Sequence, residues 1–141
     1  MADVMAQEAD FFAIGTNDLT MYTLAADRAA TDVATLYDPF HPAVLQLVRM
    51  TADAALRQRR PVSICGEMAS DPQAVPLLVG LGLRSFSMHA SAVPRVKRAI
   101  RAVSMDDCRR MASRALEAVD GQEVSAMLAT YAATMHPSTD E

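Results

Sequence analysis

A chain of 141 residues with 51% hydrophobic and 21% charged side chains has material for one ordinary core and no compositional sign of disorder. Its 13 basic residues against 17 acidic ones leave a formal charge of −4, mild and of the wrong sign for a nucleic-acid binder. No apolar run approaches the ~20 residues needed to span a bilayer, and "MADVMAQEAD" at the start lacks the early basic residues of a signal peptide.

Cys65 and Cys108 form no C-x-x-C pair, and His41, His89 and His136 show no ligand spacing. A disulfide framework or a zinc site is therefore not expected. The expected setting is reducing and cytoplasmic, with neither membrane nor nucleic acid as partner.

Taken in chain order, the first signal is "FFAI" at 11–14, a short apolar run predicting a buried strand. It runs into Gly15 and then Thr16, Asn17 and Asp18. Pro42 starts "HPAVLQLVRMTADAALRQRR", where Val44, Leu47, Val48, Ala52 and Ala55 repeat at helical spacing. "VSIC" at 62–65 predicts a second strand, followed at once by "GEMASDP". Asp71 and Pro72 predict a cap and first turn for a helix that Gly80 or Gly82 ends.

"SFSM" at 85–88 is the third predicted strand. Ser91 is the expected cap of "AVPRVKRAIRAV", whose Arg95, Lys97, Arg98 and Arg101 read as a solvated basic face. Ser104 with Asp107 three residues on predicts a capping-box-like helix start. Gly121 separates that helix from a last one over 123–135, and "HPSTDE" reads as a frayed tail.

Strand, helix, strand, helix, strand, helix is the order of parallel βα units, and ligands of such folds gather at the carboxyl ends of the strands. Two strand exits therefore draw attention. At the first, Asp18 is a hard oxygen ligand suited to Mg²⁺ with phosphate oxygens, and the turn amides can face an anion. Arg28 can take a phosphate or carboxylate in fork geometry. The same residues also fit a plain helix cap, with Arg28 paired to Asp27. At the second exit, Cys65 is a small buried hydrophobe, a nucleophile or a proton donor, and the residues alone do not choose.

"DFFAIGTNDLTMYTLAADR", "HPAVLQLV", "VSICGEMASDP" and "LVGLGLRSFSMHASAVPRVKRAI" together resemble the C-terminal end of the phosphoenolpyruvate–protein phosphotransferase family, enzyme I of the bacterial phosphotransferase system. The resemblance implies the last three βα units of a TIM (β/α)8 barrel over residues 1–103, a helical extension over 104–135 and a tail over 136–141. It implies that Asn17, Asp18 and Arg28 bind phosphoenolpyruvate, that Asp18 ligates Mg²⁺, and that Cys65 donates the proton that turns the enolate into pyruvate. A histidine of a separate domain would take the phosphoryl group and relay it to a phosphocarrier protein, in a homodimer serving either sugar uptake or a nitrogen-linked regulatory branch.

Pyruvate phosphate dikinases and phosphoenolpyruvate synthases are close relatives, but Met68 stands where the dikinases favour histidine. Ser70 replaces a common glycine. In the family, upstream strands supply two arginines and a glutamate that shares the metal, and this sequence has no counterpart for them. The 141 residues alone are therefore expected to lack measurable phosphotransferase activity. The alternatives are a silent dimerisation or binding module, or a piece of a dikinase or synthase relative. Three strands with open edges and one uncovered face should associate with something or repack.

Overall fold

The computed structural model describes residues 1–26 and 36–135. It opens on helix α1, Ala2–Glu8, which leads to strand β1, Phe12–Gly15. Helix α2, Thr16–Leu24, follows β1 without a connecting loop. Helix α3, Pro42–Arg57, starts where the proline predicts, because an N1 proline gives up an amide hydrogen that no helical carbonyl would have accepted. His41 is its cap, the imidazole Nδ1 accepting from the Ala43 N–H at 3.1 Å.

Strand β2, Val62–Cys65, is followed by a single helical turn, α4, Glu67–Ser70. Asp71 then accepts from the Gln73 N–H at 2.9 Å, and a 3-10 turn over Pro72–Ala74 runs into helix α5, Val75–Gly80. Strand β3 is only Ser85–Phe86. Ser87 still donates its N–H to the Ile64 carbonyl at 2.8 Å, but the pairing goes no further. Helix α6 spans Val93–Ala102 with Ala92 at its cap, so Ser91 lies one residue too early to serve.

Helix α7, Met105–Glu117, begins as the capping pattern predicts: the Ser104 hydroxyl oxygen accepts from the Asp107 N–H at 3.1 Å. Helix α8, Gly121–Met135, includes the glycine expected to separate it from α7. Asp120 accepts from the Glu123 N–H, and Glu123 accepts from the Val119 N–H, two capping bonds that start the helix earlier. A side chain at Gly121 would collide with Asp38, its Cβ 1.9 Å from the carboxylate.

The sheet is three-stranded and parallel in the order β1-β2-β3. Ile14 lies opposite Ile64, and Ile64 opposite Phe86. Alternation sends Ile14 and Ile64 to the helical side, where they join Leu45, Leu77, Leu78, Leu81 and Leu83 in one core. Helices α7 and α8 add Met111, Ala112, Ala115, Val124 and Leu128 to that same core. Gly80 lets α5 press on α7, since a Cβ there would sit 1.9 Å from the Cys108 carbonyl oxygen. The other sheet face carries the alternate residues, among them exposed Ala13 and half-buried Ser63 and Cys65. Among the described residues no helix is long and apolar enough to cross a membrane.

One tie fixes the strand ends relative to each other. Parallel register sets Gly15 opposite Cys65. The fully buried Thr16 then donates its hydroxyl to the Cys65 carbonyl at 2.9 Å. Gly66, at φ 100°, makes the turn beneath it, and a Cβ there would lie 2.4 Å from the Thr16 hydroxyl oxygen.

Two predictions follow from this packing. Gly66→Ala should lower stability by about 2–4 kcal/mol, from positive-φ strain and the clash with Thr16, and Thr16→Val by about 1–3 kcal/mol through loss of the buried bond. Thr16→Ser should retain most of it, all read from urea midpoints. Burial, then Asp107, raises the Cys108 thiol pKa above the ordinary 9.0, with partial relief from Arg84. Burial and Asp107 likewise raise Tyr131 above 10.0. Both groups are neutral in either state below those values; above them the unfolded chain ionises first, so stability should fall as pH climbs past 9.0. Tyr131→Phe should flatten the upper part of that decline in urea midpoints taken across the alkaline range.

Candidate functional site

The carboxyl ends of β1 and β2 meet at the Thr16 tie, and the residues around it form the candidate site. Thr16, Asn17 and Asp18 are the first three residues of α2, whose cap is Gly15, without a side-chain capping bond. The plain-cap reading of Thr-Asn-Asp therefore does not hold. A residue inside the first turn has its side chain free for other work, and two of the three reach across to β2. Thr16 holds the Cys65 carbonyl. The Asn17 side-chain oxygen accepts from the Glu67 N–H at 3.4 Å, and the Asn17 carbonyl accepts from the Tyr37 hydroxyl at the same distance.

Asp18 is exposed and makes no hydrogen bond or ion pair with the described residues. It is also the acid in the first turn of α2, where the helix dipole stabilises a carboxylate. Cys65 is a half-buried free thiol at the last position of β2. Arg28 lies outside the described residues, as does His136.

A cavity of about 770 Å³ opens at this end of the sheet. Of the four expected site residues, Asn17 lines it; Cys65 is represented by its neighbours Gly66 and Glu67, and Asp18 is not in the wall. The remaining wall comes from Ser70 and Asp71 after β2 and from Ser87, His89 and Arg95 after β3. All three strand exits thus contribute to one mouth.

Among the described residues no group of three or more His, Cys, Asp or Glu side chains converges to hold a metal. Asp18 fits the one kind of site that needs no such group. Mg²⁺ is commonly held by one or two carboxylates, with substrate phosphate oxygens and water completing the octahedron.

Two contributors were not legible as such in the sequence. Thr16 reads as part of a polar turn, and its cross-strand bond appears only once the register aligns Gly15 with Cys65. Arg95 reads as one cation of a solvated face. The available signal was its position just after Pro94 in the first turn of α6, at the end where βα units place their sites.

Comparison with known proteins adds an independent line. The family described as PEP-utilising enzyme, PEP-binding domain matches residues 1–105. The chain is 44% identical over 131 residues to the phosphoenolpyruvate-protein phosphotransferase of Staphylococcus aureus, covering 93% of this chain and 23% of that protein. It is 47% identical over 124 residues to that of Staphylococcus epidermidis, with 88% and 22% covered. With that of Listeria monocytogenes the identity is 44% over 133 residues, with 94% and 23% covered. The chain spans less than a quarter of the length of these relatives. With three quarters of its residues inside the matched region, the chain belongs to the PEP-utilising enzymes, in the part that forms their PEP-binding domain.

Proposed function

We propose that this chain forms part of the phosphoenolpyruvate site of a phosphoenolpyruvate–protein phosphotransferase. The observation that carries the reading is the junction of β1 and β2, where Thr16 and Asn17 lock the Cys65-Gly66-Glu67 turn beside the acid Asp18. The three βα units are, on this reading, the last three of a (β/α)8 barrel. Support comes from the parallel order, the open sheet edges and the helices gathered on one face.

The roles follow from the chemistry of each group. Asn17 offers its side-chain amide to a substrate oxygen. Asp18 would hold Mg²⁺ together with phosphate oxygens, the ion supplying neutralisation of phosphate charge. Arg28 would bind the substrate through its guanidinium fork. The phosphorus–oxygen bond of phosphoenolpyruvate breaks as a phosphorus–nitrogen bond forms on an acceptor histidine carried elsewhere. The enolate left behind takes the Cys65 thiol proton at its methylene carbon, giving pyruvate and a thiolate that solvent reprotonates.

Fixing the backbone on both sides of Cys65 serves that last step, because proton transfer to carbon demands a defined approach. The same reading brings a phosphocarrier protein as downstream partner, a homodimer as the assembly and the cytoplasm as location. Sugar uptake is then one outlet for the phosphoryl group.

The test uses the purified chain. Phosphoenolpyruvate with Mg²⁺ should shift the backbone NMR signals of Asn17, Asp18 and Cys65 and slow alkylation of Cys65 by iodoacetamide several-fold. Asp18→Asn should abolish the Mg²⁺-dependent part of both effects. Unchanged signals and undiminished alkylation at saturating substrate would remove the basis of the proposal.

A further inference from the structure

The mouth has a side that the proposed chemistry leaves unused. The cavity of about 770 Å³ is open, and the proposed chemistry engages only part of its wall. Asn17, Gly66 and Glu67 make one end of the wall. The other end comes from the exit of β3, with the Ser87 hydroxyl, the His89 imidazole and the Arg95 guanidinium.

Three observations set the charge of that end. Arg95 is exposed and has no carboxylate partner among the described residues, although Glu67 and Asp71 share its cavity. Asp71 is occupied as a cap, accepting from the Gln73 N–H at 2.9 Å. Helix α6, which carries Arg95 in its first turn, adds Lys97, Arg98 and Arg101 and contains no acid. A guanidinium on a cavity wall without a carboxylate partner among the described residues, on a helix otherwise rich in cations, favours a phosphate oxyanion held in fork geometry.

We infer that Arg95, assisted by His89 and Ser87, forms a second anion subsite on the β3 side of the mouth, selective for a phosphoryl group. The inference extends the proposed function and rests on it in one respect, that both ends serve the same mouth. In that mouth the subsite holds a phosphoryl group beside the Asn17 and Asp18 end. The group comes either from the substrate or from the phosphorylated acceptor.

The experiment titrates the full chain with inorganic phosphate, with phosphoenolpyruvate plus Mg²⁺ and with pyruvate, following backbone and Arg95 Nε signals by NMR. The variants are Arg95→Gln, Arg95→Lys and Lys97→Gln. The Arg95 side chain is exposed and has no partner among the described residues, so its replacement leaves the fold intact, which the unshifted spectrum of the free variant verifies. Phosphate should perturb His89 and Arg95, pyruvate should not, and Arg95→Gln should weaken phosphate at least fivefold. Arg95→Lys should lose part of that, and Lys97→Gln, which has the same charge change outside the wall, less than twofold.

Equal losses in Arg95→Gln and Lys97→Gln would reduce the effect to general helix charge and overturn the subsite. So would phosphate affinity unchanged in Arg95→Gln, or a wild-type chain that phosphate does not perturb. Those outcomes leave the proposed function standing if phosphoenolpyruvate with Mg²⁺ still shifts Asn17 and Asp18. An Arg95-dependent phosphate response without any shift at Asn17 or Asp18 would sustain the subsite and sink the broader reading. Displacement of phosphate by phosphoenolpyruvate assigns the subsite to the substrate; simultaneous binding assigns it to the acceptor's phosphoryl group.

Discussion

The hydroxyl of Thr16 has no access to water, so it must find its acceptor inside the protein, and it finds the carbonyl of Cys65 at 2.9 Å. A buried hydroxyl left alone would cost on the order of 1–3 kcal/mol, so the bond effectively dictates how far apart the ends of β1 and β2 can lie. Gly66 is the complement of that bond. At φ 100° it occupies a region that side chains disfavour, and a Cβ would strike the same hydroxyl. Backbone strain, a buried donor and strand register all point to one arrangement, and among the described residues no buried side-chain polar atom is left unsatisfied.

Around that tie the molecule is asymmetric. Helices cover one face of the sheet with a core running from Leu45 and Ile64 to Leu128, while Ala13, Ser63 and Cys65 occupy alternate positions on the other. The asymmetry separates two tasks. The helical face supplies apolar burial, which is non-directional and tolerates compensation. The strand ends supply polar groups at defined positions, which tolerate little displacement. The two thiols illustrate the division. Cys108 is buried between helices with its pKa raised by burial, a small apolar group in practice; Cys65 is half-buried at a strand exit.

Much of this is readable along the chain where the signal is local. Pro42 and Ser104 each announce a helix start because capping involves residues within three positions of one another. The run at 62–65 is the second strand, and the run at 11–14 is displaced by one residue because Gly15 pairs with Cys65. Other local signals were outvoted. The third strand stops at Phe86, with a last backbone bond from Ser87 to Ile64, and Ser91 is bypassed as a cap because backbone bonds from Ala92 and Val93 to His89 and Ala90 set the turn. Gly121 enters α8 because the Asp120 and Glu123 side chains cap the helix start and Asp38 leaves no room for a side chain.

The amino-acid sequence by itself determined the class of structure, the succession of parallel βα units, the helix starts, and the kinds of chemical group at each strand exit. It also carried the family likeness, since ordered motifs survive as strings. What the tertiary structure alone decided is which of those groups act together. Thr16 turned from a turn residue into the bolt between two strands, and Arg95 from a solvated cation into part of a cavity wall, because both roles depend on residues some 25 to 80 positions away. Such contacts arise from register and packing, and neither is a property of any short stretch of chain.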